Sequence, residues 1–348
     1  MEALTVATTA DNDSIHQAVS HAPDNPVADL LIGIYVSVVG VVGLVLNATV
    51  LTTLLARKQK LKGVEIFIAN LTFMELMQIM LAYPVIISNN FMHRIIVGYH
   101  GCVFEAFVVF FCGCNSIWIL TMLSLYRYLK ICHGPSMPKN DRPFVMTAAV
   151  LSCLMCAGWC ISPFLGWGRY GLEIHGLTCS LDWEHQSPGY IYSIFTCIYL
   201  IPLILMIFSY AKIITTVRAS RLRTGLQVNK SEYKLTRVAL IMCSVFFVAW
   251  TPYAVVSLLT VLQQNHLVPT MVALTAPICA KSNAFLNPVV YFLAMKQFRQ
   301  ETMQLMLCKT IQNQLDKLHH TKSGSEASDY EATNQDLLSP DQQMTSTL

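Results

Sequence analysis

One ammonium stands inside the last long apolar stretch of the chain. It belongs to Lys281, in the segment from Ala280 to Tyr291 (AKSNAFLNPVVY), itself part of an apolar run over about 267–294. Keeping an ammonium in hydrocarbon costs at least a few kcal/mol, so such a lysine marks a functional site and calls for a partner. Burial favours the neutral amine, and a neutral amine is a nucleophile that condenses with an aldehyde to form a Schiff base. A lysine can instead snorkel its charge to a helix end. Lys281 sits roughly midway along its run, far from the cations Lys296 and Arg299, which argues against snorkelling.

The elements that must hold this lysine are those of a membrane protein. Of 348 residues, 54% are hydrophobic and 12% charged, where a soluble domain has about a quarter charged. The net charge of +3 gives no basic footprint for nucleic acid. Apolar runs fall at about 29–56, 65–92, 99–132, 144–166, 188–217, 235–262 and 267–294, each able to cross roughly 30 Å of hydrocarbon as a helix. Arg57, Lys58, Lys60 and Lys62 follow the first run, Lys130, Lys139 and Arg142 the third, and Arg218, Arg221, Arg223, Lys230, Lys234 and Arg237 bracket the fifth and sixth. These connections face the cytoplasm by the positive-inside rule, which puts the amino terminus outside and the carboxyl terminus inside. The expected fold is an all-α membrane protein, a seven-helix transmembrane bundle.

The flanks divide the chain further. Residues 1–28 are polar and acidic with no apolar core of a cleavable signal, so the first run is expected to act as the signal anchor. Asn12-Asp13-Ser14 is a glycosylation acceptor there. Residues 29–294 hold the spans. Residues 295–308 (MKQFRQETMQLMLC) alternate apolar and charged residues as an amphipathic helix on the membrane surface would, ending at Cys308, a candidate lipidation site. Residues 309–348 read as a disordered tail carrying hydroxyls such as Ser323 and Ser328. Most of the 12 cysteines lie in apolar runs, where a thiol acts as a small hydrophobe, and no zinc spacing occurs. Cys102 opens the third run and Cys179 lies in the connection after the fourth, both on the oxidising side, so a disulfide is expected, although spacing alone does not prove it.

Three short motifs accompany that pair: Arg127-Tyr128 at the end of the third run, Trp250-Thr251-Pro252 in the sixth, and Asn287-Pro288-Val289-Val290-Tyr291 in the seventh. In this order they resemble the rhodopsin-like G-protein-coupled receptors, over about residues 30–308. Lys281 stands six residues before Asn287, which is similar to the retinal-binding lysine of opsins. The stretches KLKGVEIFIANL (60–71), RYLKIC (127–132), CSLDW (179–183), EYKLTRVAL (232–240) and AWTPYAVVS (249–257) look closest to the neuropsin branch of non-visual opsins.

The resemblance implies retinal, 11-cis or all-trans, bound covalently to Lys281 as a Schiff base. A buried protonated Schiff base needs an anion to keep its proton. Two carboxylates match counterion positions of the family, Glu105 three residues after Cys102 and Glu173 six before Cys179, and the choice between them stays open. Glu105 departs from the tyrosine usual in neuropsins. Trp250 and Tyr253 would line the chromophore cavity, with Trp118 and Phe246 as further wall residues. Arg127, Tyr128, Glu232, Asn287, Pro288 and Tyr291 would carry activation to a heterotrimeric G protein, and an arrestin and a receptor kinase are implied by family.

Two positions depart from the family pattern. The acid that normally precedes the Arg-Tyr pair is Tyr126, so Glu232 is left as the partner of Arg127. Glu75 replaces an aspartate of a polar cluster expected to include Asn47 and Asn287. The implied role is a non-enzymatic light sensor of the plasma membrane. Its rival is a retinal photoisomerase with little signalling, for which Tyr126 speaks and the intact NPVVY, Glu232 and KQFR speak against. A chemoreceptor that has lost retinal would leave Lys281 incidental. The third run holds no carboxylate relay of the kind a light-driven ion pump needs.

Overall fold

Pro84 breaks the second apolar run. A proline has no N–H for the carbonyl four residues back, here Met80. The helix Gly63–Leu81 accordingly stops, turns through Ala82 and resumes as Tyr83–Phe91. The computed structural model describes residues 25–57, 60–134, 138, 140–173, 176–183, 186–224, 230–263, 267–296, 298–305 and 307. Among them, six helices are long and apolar enough to cross a membrane: Pro26–Leu55, Gly63–Phe91, Gly98–Cys132, Arg142–Leu165, Pro188–Ser220 and Glu232–Val261. The seventh span consists of two shorter helices, Thr270–Lys281 and Asn283–Ala294, meeting at Ser282.

Where helices and apolar runs differ in length, the polar ends account for it. The first helix starts at Pro26, with proline in its first turn and the Asn25 side chain accepting the Ala28 N–H at 3.1 Å. The helices of the fifth and sixth spans run on to Thr224 and back to Lys230, beyond the runs ending at about 217 and beginning at about 235. Hydropathy marks where hydrocarbon ends, and a helix need not stop there.

The third span is the axis of the bundle. It packs on the second, fourth, fifth and sixth spans, and 72% of its apolar window is buried, against 28% for the fourth and the fifth. The connection between fourth and fifth spans forms a two-stranded antiparallel hairpin, β1 (Tyr170–Leu172) with β2 (Cys179–Leu181), pairing Tyr170 with Leu181 and Leu172 with Cys179. The expected disulfide Cys102–Cys179 is formed and ties β2 to the outer turn of the third span. In the fifth span a wide π-helical turn, Phe195–Leu200, interrupts the α-helix.

The chain divides into two units, Met1–Met295 and Lys296–Leu348. In the second, residues 298–305 are helical. Asn12, Cys308 and the tail hydroxyls lie outside the described residues.

Candidate functional site

Lys281 is the last residue of the helix Thr270–Lys281 and is 6% exposed. Its Nζ points to the hairpin, 3.8 Å from Glu173 Oε2. Glu173 follows β1, and its Oε2 also accepts the Thr178 hydroxyl at 2.6 Å, so the carboxylate is held in place by its own loop. Glu105, on the third span, is fully buried. Its Oε1 accepts the Cys179 backbone N–H at 3.3 Å, while its Oε2 has no hydrogen-bond partner among the described residues. The disulfide thus brings both carboxylates of the sequence reading to the lysine's end of the bundle. Glu173 makes the direct ion pair, and Glu105 braces the strand that carries the loop.

At this end a cavity lies between the third, fifth, sixth and seventh spans. Its wall contains Lys281, Glu173, Trp250, Tyr253 and Phe246. Phe246 and Trp250 stack at 5.5 Å with their planes 16° apart, and Tyr253 meets Trp250 edge-on at 6.2 Å. The Trp183 indole N–H donates to the Tyr253 hydroxyl at 3.1 Å, which ties the ring to the segment just after β2.

Trp118 was expected in this wall and is absent from it; it is buried elsewhere on the third span. Phe195 and Tyr199, on the π-helical turn, take part instead. So does Gly113, where a Cβ would stand 2.6 Å from Trp250. Only a glycine lets the indole approach so closely, and a lone glycine in an apolar helix gives no sequence signal of that neighbour.

An amine paired with a carboxylate, in a cavity whose other walls are largely aromatic and aliphatic, can bind an apolar aldehyde and hold the resulting cation. The residues present therefore fit retinal.

At the other end of the third span, Arg127 is 1% exposed. Its Nη2 donates to Glu232 Oε2 at 2.6 Å, to the Glu232 carbonyl at 2.7 Å and to Thr236 Oγ1 at 2.9 Å. The expected tie from Arg127 to Glu232 is thus formed. Tyr126 has a partner as well: its hydroxyl donates to Asp141 Oδ2 at 2.7 Å, and Asp141 pairs with Lys130 at 2.7 Å. Partial burial would raise the Asp141 carboxyl, but the Lys130 ammonium and the Tyr126 hydroxyl outweigh it and hold the group below the usual aspartate value. The Tyr128 ring rests edge-on against Phe208 at 5.6 Å.

Asn287, Pro288 and Tyr291 are buried in the helix Asn283–Ala294. Glu75 accepts a hydrogen bond at 2.9 Å from Asn283, which the sequence reading did not single out, and Asn287 lies beside it as expected. Asn47, expected beside Glu75, turns instead to the carbonyls of Gly43 and Ala284, at 2.9 and 2.7 Å. Pro288 explains this, because it has no N–H for the Ala284 carbonyl and Asn47 supplies one.

The family described as 7 transmembrane receptor (rhodopsin family) matches residues 46–291. Opsin-5 of Mus musculus is 34% identical over 278 residues, which cover 76% of this chain and 73% of that protein. The protein named Rhodopsin, G0-coupled, of Mizuhopecten yessoensis is 28% identical, covering 79% of this chain and 72% of its own. The crystal structure of squid rhodopsin superposes with a TM-score of 0.74 at 24% identity, covering 80% of this chain and 85% of that one.

Proposed function

Because the chain belongs to the rhodopsin family of seven-transmembrane receptors, and within it to the opsins, we propose that it senses light through retinal bound covalently to Lys281 and activates a heterotrimeric G protein. The observation that carries this reading is the enclosed Lys281, paired with Glu173 at 3.8 Å, in a cavity whose remaining wall is largely aromatic and aliphatic. When bound, retinal supplies light-driven isomerisation on a Schiff-base linkage.

The protein's own residues do the rest. Lys281 anchors one end of the ligand. Glu173 holds the positive charge on Nζ, and the low dielectric around the pair strengthens that attraction. Glu105 orients β2 through the Cys179 N–H. Trp250, in contact with Phe246, Tyr253 and the Gly113 backbone, feels any change of ligand shape directly. It stands two residues before Pro252, where the helix of the sixth span lacks a backbone hydrogen bond. A displacement of Trp250 can therefore bias the angle of that helix, whose cytoplasmic end is tied to Arg127.

The relative from Mizuhopecten yessoensis, named as G0-coupled, supports a G-protein partner, as does the Arg127–Glu232 tie, which a protein that only isomerised retinal would not need. An arrestin and a receptor kinase are further proposed partners. The proposed placement is the plasma membrane with the amino terminus outside.

The test is an absorption spectrum of purified protein incubated with 11-cis or all-trans retinal, in the dark and after illumination, with Lys281→Ala as control. A band that requires Lys281 and shifts on illumination is expected. No band with either isomer would overturn the reading.

A further inference from the structure

Two helix breaks meet at the lysine. The second span is interrupted at Ala82, ahead of Pro84, and resumes at Tyr83. The seventh span is interrupted at Ser282, directly after Lys281. In an unbroken helix the Lys281 carbonyl would accept the Phe285 N–H, but that N–H reaches the Ser282 carbonyl at 3.3 Å instead. The freed carbonyl accepts the Tyr83 hydroxyl at 2.7 Å.

Tyr83 is 1% exposed, packed with Val36, Val39, Ile79 and Ala284. Gly40 lies so near that a Cβ there would stand 3.2 Å from the ring. A second tether acts one residue on. Ser282 Oγ donates to the Ile278 carbonyl at 2.9 Å, so in its 2.6 Å contact with Tyr35 the tyrosine O–H is the donor.

Resting on the reading of Lys281 as the retinal-bearing residue, we infer that Tyr83 is a positioning residue for that attachment. By drawing the Lys281 carbonyl out of the helix toward the second span, its hydroxyl fixes where the lysine side chain leaves the backbone. It thereby fixes the placement of Nζ opposite Glu173. The Tyr35–Ser282 contact supports the same break from the first span. The buried hydroxyl has a packing role only if its loss leaves the chemistry at Nζ unchanged, and that separates the two roles by experiment.

The full-length protein and its Tyr83→Phe variant would be incubated with 11-cis and with all-trans retinal. Two quantities would be read in darkness: the pH at which the long-wavelength band gives way to a near-ultraviolet band, and the rate at which hydroxylamine removes the band. With Nζ less well held opposite Glu173, Tyr83→Phe is expected to lose the band at lower pH and to react with hydroxylamine about five- to tenfold faster, the scale of one buried hydrogen bond.

If Tyr83→Phe lowers only the thermal midpoint and leaves both readings where they are, the positioning role is overturned. Should that variant not fold, Gly40→Ala presses on the same ring while keeping the hydroxyl. It is expected to move both readings in the same direction by a smaller amount, and no movement overturns the inference. A wild-type protein that forms no band overturns the retinal reading itself, which is a different result from a normal wild-type band with an unaffected Tyr83→Phe.

Discussion

At the scale of single residues, the two carboxylates are held differently at the lysine's end of the bundle. Glu173 lies 3.8 Å from Lys281 Nζ and is clamped by Thr178. Glu105 spends one oxygen on the Cys179 N–H. Removing a carboxylate beside a cation makes the cation easier to deprotonate. Glu173→Gln is therefore expected to replace the long-wavelength band with a near-ultraviolet one at neutral pH, and a pH titration of the absorption spectrum checks this. An unchanged band in Glu173→Gln, with the loss appearing in Glu105→Gln, would reverse the assignment. Gly113 offers a steric test of the opposite wall. A methyl there meets Trp250 at 2.6 Å, and overpacking of this kind costs about 1–3 kcal/mol. Gly113→Ala should lower the thermal midpoint of the retinal-bound protein and slow pigment formation; normal values for both would show that the indole has room to yield. Lys281, Trp250 and Tyr253 were legible because a charge in an apolar run and a short motif announce them, and Glu173 because its spacing from Cys179 resembles a counterion position of the family. Gly113 and Tyr199 were not, because their role comes from a neighbour on another helix, and Trp118 was misplaced for the same reason: an aromatic on a buried helix says nothing of the direction it faces.

At the scale of elements, the seven spans were legible because hydrocarbon demands runs of about 20 apolar residues, whereas the breaks within them follow from proline chemistry and from what accepts the freed carbonyls. Pro288 points to an unpaired Ala284 carbonyl, but only the structure shows Asn47 answering it, and only the structure adds Asn283 to the partners of Glu75. Tyr126 follows the same pattern. Sequence showed an acid missing before Arg127; the fold supplies one from Asp141, at the start of the fourth span, bridging Tyr126 and Lys130. Because the folded protein holds this carboxyl below its ordinary value, the bridge contributes stability above an unfolded aspartate's pKa of about 3.9. That contribution fades as the pH falls through the lower folded value. Thermal midpoints of wild type and Asp141→Asn measured across pH should differ near neutrality and converge below about pH 4, on the same scale. A gap that persists in acid would mean that the bridge acts through packing and not through charge.

At the scale of the molecule, the bundle connects the cavity at Lys281 to a clasp at the far end of its central helix. The third span carries Gly113 at the cavity and Arg127 at the clasp; the sixth carries Trp250 and Tyr253 at one end and Glu232 with Thr236 at the other. A ligand can shift such an equilibrium only by as much as its fit differs between the two arrangements, so the clasp sets how large that difference must be. The Glu232 side chain is 41% exposed, and solvent screening limits an ion pair so placed to about 1 kcal/mol, roughly a fivefold change in the ratio of states. Arg127 would keep its bonds to Thr236 and to the Glu232 carbonyl, so Glu232→Gln should loosen the clasp by removing its negative charge while the guanidinium stays hydrogen-bonded. The expected result is about a fivefold rise in nucleotide exchange on a reconstituted G protein in darkness, with the illuminated rate little changed, because on the proposed mechanism illumination already favours the open arrangement. Dark exchange equal to wild type would show that the pairing of Arg127 with Glu232 is not what keeps the dark state quiet.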